Sequence, residues 1–163
     1  MAATEAKPHP QELPGASAED PILRTIGTTR TFKAPIALVW RMWTEPEHLV
    51  AWWGPDGFRV TMHEMDVRAG GNWEFILHGP DGRDYPNRST YLEVVPQKRI
   101  VYRHAEPAFT TTVTFADRGE ETEIEMNMLF DTRETRDIVA KTYGAVEGQQ
   151  QTLNRLAAHL ASQ

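Results

Sequence analysis

Gln149 stands in a C-terminal stripe formed by Ile138, Thr142, Ala145, Leu153, Leu156 and Leu160, spaced as one face of a helix. An amide buried on such a face without a partner costs about 1–3 kcal/mol, so it must bond a ligand, an ordered water or a neighbouring side chain, unless it turns to the helix edge. The stretch RIVYRH puts Tyr102 and His104 on one parity of a strand, with Tyr91 on the strand before it. If that parity faces inward, a phenol and an imidazole enter an apolar interior, where they would orient a ligand and where His104 would be placed for general acid–base work. The alternative is cross-strand packing with a hydroxyl reaching solvent. His63 and His78, with Glu64 and Glu74 nearby, fall on neighbouring strands of a hairpin and supply zinc-type donors. They take the polar parity of those strands, which predicts solvent-facing histidines and no metal. Asp66 and Arg68 flank a Gly70-Gly71 turn and read as a local ion pair that fixes it. No Gly-x-Ser-x-Gly elbow is present, and Gly54-Pro55-Asp56-Gly57 runs into a strand without a following lysine, so nucleophilic hydrolysis and nucleotide use are disfavoured.

Trp52 and Trp53 are adjacent, and neighbours on a helix point about 100° apart, so the two cannot face one core centre. One should anchor a short helix in the core and the other should stand at a rim, against a ligand or a second subunit. The remaining large side chains, Trp40, Phe58, Trp73, Phe75, Phe115, Met126 and Met128 among them, are mostly ordinary core material. Met126 and Met128 share an inner parity with Val113 and Phe115 on the adjoining strand, and methionine suits a tolerant pocket. The candidate cavity set is therefore Trp40, Trp53, Phe58, Trp73, Phe75, Tyr91, Tyr102, His104, Val113, Phe115, Met126, Met128, Ala145 and Gln149.

The elements that must position these residues are legible in the spacing. RTIGTTRTF is a strand, Ile36 to Thr44 a short amphipathic helix after Pro35, and Glu45-Pro46-Glu47 starts a second helix that Gly54-Pro55 ends. Strands follow at FRVTMHEMDV, NWEFILH, STYLEVV, RIVYRH, TTTVTFAD and ETEIEMNMLF, with Trp73, Phe75 and Leu77 alternating against Asn72, Glu74 and His78. From Thr132 the period turns helical, predicting one helix of some 25 residues capped by Asp131 or Thr132. The sum is an α+β helix-grip fold, in which a curved antiparallel sheet of six to seven strands wraps a long C-terminal helix.

The chain has 163 residues, 17 basic and 23 acidic, for a formal charge of -6. With no basic tract, nucleic acid is not an expected partner. The absence of cysteine excludes disulfides, thiolate metal sites and a cysteine nucleophile. No apolar run approaches the roughly 20 residues of a membrane span. The opening MAATEAKPHPQELPGASAEDP has no apolar signal-peptide core, so the expectations are a cytoplasmic protein, a mobile tail over residues 1–22, and a single domain over 23–163.

The succession PIALVWRMWTEPEHLVAWWGPDGF, MDVRAGGNWEFILHGPDGRDYPN, YLEVVPQKRIVYRH, VTF and GQQQTLNRLAAHL resembles the bacterial single-domain proteins related to the activator of heat-shock protein 90 ATPase, within the START and birch-pollen-allergen-like (SRPBCC) superfamily. The resemblance covers residues 24 to 162. It implies a helix-grip fold with a cavity between sheet and helix, used by relatives for lipids, polyketides, sterols, flavonoids or enediynes. Many relatives have Gly-Trp where this chain has Gly148-Gln149, which puts an amide on the cavity-facing stripe. The expected function is binding of a small hydrophobic or amphipathic molecule, with no metal or dissociable cofactor. The alternatives are a polyketide cyclase or aromatase using Tyr102, His104 or Gln149, and a chaperone-activator-like interaction module. The last suffers because eukaryotic activators carry a further N-terminal domain that residues 1–21 are too short to supply. An exposed tryptophan and the sheet edges would serve a homodimer.

Overall fold

Alternation of apolar and polar residues over six consecutive stretches leaves the chain little choice but a sheet with one covered face. The computed structural model describes residues 19–163. Most of the expected tail lies outside the described residues; its last part, from Pro21, enters a 3-10 turn, Pro21–Arg24, whose Asp20 carboxylate accepts from the Ile22 amide. Seven strands follow: β1 Thr25–Phe32, β2 Arg59–Met65, β3 Asn72–His78, β4 Asp84–Val95, β5 Arg99–His104, β6 Phe109–Arg118 and β7 Glu121–Phe130. They form one antiparallel sheet in the order β1-β7-β6-β5-β4-β3-β2, so β1 and β2 are its edges. Register shifts between Met62 and Glu64 and between Tyr91 and Glu93 mark bulges, which bend and twist strands and so favour a curved sheet.

Helices α1 (Ile36–Thr44) and α2 (Pro46–Trp52) connect β1 to β2, and α3 (Arg133–Thr142) and α4 (Ala145–Ala161) follow β7. Pro46 opens α2 where its missing N–H is no loss, and the amide of Glu45 closes α1 on the Arg41 carbonyl. The core lies between the inner face of the sheet and α1, α2 and α4, with Val39, Met42, Leu49, Trp52, Val113, Ile124, Leu153 and Leu156 buried completely. Trp52 is the core anchor of the adjacent pair, and its indole N–H donates to the Met42 carbonyl at 3.2 Å. The fold is α+β and helix-grip.

One expectation about the C-terminal segment is corrected. It is not one helix of some 25 residues but two, broken at Tyr143-Gly144, with Gly144 in the left-handed region at φ 59°. A residue without Cβ takes that conformation readily, and the break resets the helical phase. Val139, not Ile138 or Thr142, is therefore the buried residue of α3. The cap at Thr132 holds, its hydroxyl accepting from the Thr135 amide at 3.1 Å. Among the described residues no helix is long and apolar enough to cross a membrane.

Candidate functional site

Alternate residues of five strands converge under the first two turns of α4. Antiparallel register sets Trp73 opposite Ser89, Ser89 opposite His104, and His104 opposite Phe109, a continuous row across β3 to β6 on the inner face. On one side of this row Phe75 faces Asn87, and on the other Tyr91 faces Tyr102. Trp73, Phe75, Asn87, Ser89, Tyr102, His104 and Phe109, with Leu77, Met126 and Met128 below and Ala145, Gly148, Gln149 and Thr152 above, line a cavity of about 170 Å³. Trp53, Gly54, Pro55 and the exposed ring of Tyr143 form its rim.

The rim has its own fastening. Arg155 of α4 donates from Nη1 to the carbonyls of Trp53, Gly54 and Pro55 at 3.3, 2.8 and 2.9 Å, and Gln151 Oε1 accepts from the Asp56 amide at 3.1 Å. Gly54 permits the sharp exit from α2 through a positive φ of 101°, where a Cβ would also collide with Leu77. Trp53, at the C-terminal end of α2, is thus set edge-on against Trp73 at 5.0 Å and against Trp43 at 5.7 Å. The second tryptophan of the pair is the rim residue.

The polar chemistry of the cavity is sparse. His104 stacks on Phe109 with ring centroids 4.5 Å apart and planes 8° from parallel. Its Nδ1 lies 2.9 Å from the Pro107 carbonyl and its Nε2 2.8 Å from Asn87 Oδ1; both partners are acceptors, so a neutral ring donates to only one of them. Burial pulls its pKa below the ordinary imidazole value, against the opposing pull of the Pro107 hydrogen bond. Burial also pushes the Tyr102 phenol well above its usual range, so it stays protonated. Two nitrogens of the lining residues, Gln149 Nε2 and Trp73 Nε1, are fully buried and without a hydrogen-bond partner. Among the described residues, no Asp, Glu, Lys or Arg side chain lines the cavity.

Of the candidates from sequence, Trp53, Trp73, Phe75, Tyr102, His104, Met126, Met128, Ala145 and Gln149 line this cavity. Five do not. Trp40 packs edge-on to Phe115 at 5.0 Å, and Phe115 also meets Trp43, so α1 fills that end of the sheet and takes Val113 and Phe115 into solid core. Tyr91 is buried in parallel stacking with Trp73, 5.6 Å between centroids. Phe58 lies outside the cavity wall against Tyr85. Strand parity alone could not separate these from true lining, because the division depends on where α1 ends and α4 begins. Leu77, Asn87, Ser89, Phe109, Gly148 and Thr152 were missed. The alternation of Asn87, Ser89 and Tyr91 was their available signal, hidden because β4 begins at Asp84 rather than at Ser89.

The histidine pair of the first hairpin does not assemble. His63 falls in the bulge of β2, and His78 faces Arg59, with its ring held by Asp84 and by Thr61, each at 2.7 Å. Among the described residues no group of three or more His, Cys, Asp or Glu side chains is placed to hold a metal ion. Arg68 and Asp66 do form the local pair, at 2.9 Å, at the turn where a Cβ on Gly71 would overlap the Asp66 carbonyl.

A curved sheet closed by a C-terminal helix over an internal cavity defines the helix-grip class. Within it, residues 33–161 match the model of the family described as activator of Hsp90 ATPase homolog 1-like protein, and the chain belongs to that family. A crystal structure of a protein from Nitrosomonas europaea is similar at 26% identity and a TM-score of 0.79, over 86% of this chain and 96% of that one. One from Chromobacterium violaceum is similar at 29% identity and a TM-score of 0.74, over 82% and 95%. A solution structure of an Arthrobacter aurescens protein shares the fold, with 20% identity and a TM-score of 0.81 over 89% and 90%. No curated protein matches the chain.

Proposed function

We propose that this protein binds a small amphipathic molecule in the cavity between the sheet and α4. The observation that carries the reading is the cavity itself, about 170 Å³ between five strands and α4, walled mainly by apolar and aromatic side chains with Asn87, Ser89, His104 and Gln149 among them. Size limits the occupant. At about 170 Å³ the cavity falls short of the roughly 300–1,000 Å³ of drug-sized pockets and is close to the roughly 150 Å³ that admits one benzene ring.

That size argues against a multi-ring polyketide and so against the cyclase alternative. The same alternative needs a group free to move a proton, whereas the His104 ring is held between the Pro107 carbonyl and Asn87, and the Tyr102 phenol holds its proton firmly. The chaperone-activator reading needs a filled interior, and a cavity of about 170 Å³ with a mainly apolar wall favours ligand binding instead.

Native mass spectrometry of the purified protein, gentle against denaturing, tests the proposal. The expected result is a bound compound of one-ring size, lost when Gln149→Trp fills the space. A clean mass, together with no binding in a hydrophobic-dye titration, would refute it and favour the interaction module.

A further inference from the structure

Thr61, His78 and Asp84 come from the three neighbouring strands β2, β3 and β4 and meet on the outer face of the sheet, the side away from the cavity. Thr61 Oγ1 lies 2.7 Å from His78 Nε2, and Asp84 Oδ1 lies 2.7 Å from His78 Nδ1. A carboxylate only accepts, so Asp84 fixes the proton of the neutral ring on Nδ1 and leaves the Nε2 lone pair to accept from the Thr61 hydroxyl. Hydroxyl, base, and a carboxylate that holds the base in its working tautomer are the contacts that turn an alcohol into a nucleophile. Such a set is defined by geometry and not by chain order, which is why no motif in the sequence announces it. We propose that Thr61 is an acyl-accepting nucleophile activated by His78, with Asp84 as the positioning residue.

Exposure decides the substrate class. Thr61 is exposed, and the His78 and Asp84 side chains are 18% and 60% exposed, so water reaches the whole set. Charge developing on a carbonyl oxygen is then met by water rather than by donors held in a dry site, which restricts the reaction to acyl groups with a good leaving group. The neighbouring surface adds a preference. Thr61 faces Ile76, and Ile76 faces Pro86, so an apolar strip lies beside the hydroxyl on the same face and suits a flat aryl group. Aryl esters of small acids meet both conditions. Thr61 Oγ1 bonds to the acyl carbon as its proton passes to His78 Nε2; the bond from that carbon to the aryl oxygen breaks, and the proton leaves with the aryl alcohol. Water, deprotonated by the same nitrogen, then releases the acid and restores the Thr61 hydroxyl.

The test uses para-nitrophenyl acetate, with nitrophenolate release read by absorbance and the acetyl group located by peptide mass spectrometry after an acid quench. The wild type should carry an acetyl group on Thr61. Thr61→Val keeps the branched shape that suits a strand, and it should lose that label and release nitrophenolate at the background rate. His78→Gln should slow acetylation of Thr61 by about 100-fold or more and Asp84→Asn by about tenfold or more, while Thr61→Ser should retain it. Asp84 and Arg59 are the charged residues opposite His78 in register. The wild-type rate should rise as the ring loses its proton, within about pH 5–8, and that rise should vanish in His78→Gln. An unlabelled Thr61 in the wild type, or equal labelling in His78→Gln, would overturn the inference. So would full nitrophenolate release by Thr61→Val, which would mean that an imidazole attacks the ester itself. Should His78→Gln fail to fold, Thr61→Val and Thr61→Ser decide between them. Neither result bears on the cavity, which lies on the other face of the sheet.

Discussion

Replacing Gln149 by leucine should make the ligand-free protein more stable. The side chain is 6% exposed on a face whose neighbours Leu153 and Leu156 are fully buried, and its Nε2 has no partner. An unpaired buried amide costs about 1–3 kcal/mol, and a leucine of similar length removes that cost while adding apolar contact to Met126, Met128 or Phe75 across the cavity. Some of this gain is lost to imperfect packing, leaving an expected increase of about 1–2 kcal/mol. For a chain of 163 residues each kcal/mol moves Tm by about 2–4 °C, so the melting temperature should rise by about 2–8 °C. Calorimetry with urea unfolding at neutral pH reads both quantities. A loss of about 1 kcal/mol or more would refute the reasoning, since it would mean that the amide is hydrogen-bonded in solution, with ordered water in the cavity. A rise in stability with a fall in ligand affinity would mark Gln149 as a residue kept at a cost to the fold.

Leu153→Ala or Leu156→Ala should destabilise by about 2–5 kcal/mol, because both side chains are fully buried where α4 meets the sheet; a urea midpoint at the wild-type value would contradict that packing. Arg155→Met keeps the apolar stem but removes the donor to three carbonyls, so amide exchange should quicken across residues 53–57 with the core strands unchanged; equal exchange there would mean the rim holds itself. Acid should weaken the fold through two histidines. Burial lowers the pKa of His104, and burial together with the facing His48 ring, 3.0 Å away, lowers that of His159. The unfolded chain then binds protons that the native state refuses, so this stability is complete above about pH 6.5 and declines as pH falls below it. Urea midpoints at about pH 8 and about pH 5 should differ accordingly, and a His48→Gln variant should lose part of the difference; equal midpoints would show the rings to be unperturbed.

How much of the site could be read in advance depended on local rules. Strand parity is a local property, and β3 runs over the same residues, Asn72–His78, that the alternation marks, with Trp73 and Phe75 on its buried face. Tyr102 and His104 shared a parity for the same reason, yet whether that face was inner depended on which side the helices cover. The family motifs gave the fold in outline. They did not reveal that Trp40 and Phe115 are locked together under α1, nor that Asn87 reaches His104 across the strand pair. Both are contacts between residues far apart in the chain.

Alternation of two, helical spacing, proline and glycine positions and the lack of cysteine are enough to determine a helix-grip domain held by packing, with Trp52 and Trp53 facing different ways. Tertiary structure alone decided the rest. Gly144 takes a left-handed conformation that splits the last helix and resets its face, a choice that periodicity extrapolated through a glycine cannot see. The cavity exists because α1 and α2 fill one end of the sheet while the first turns of α4 stand off the other, and that remaining volume is set by many side chains at once. That Gln149 and Trp73 are left with unpaired donors is a fact about the atoms other residues do not bring within reach, and only assembled packing determines it.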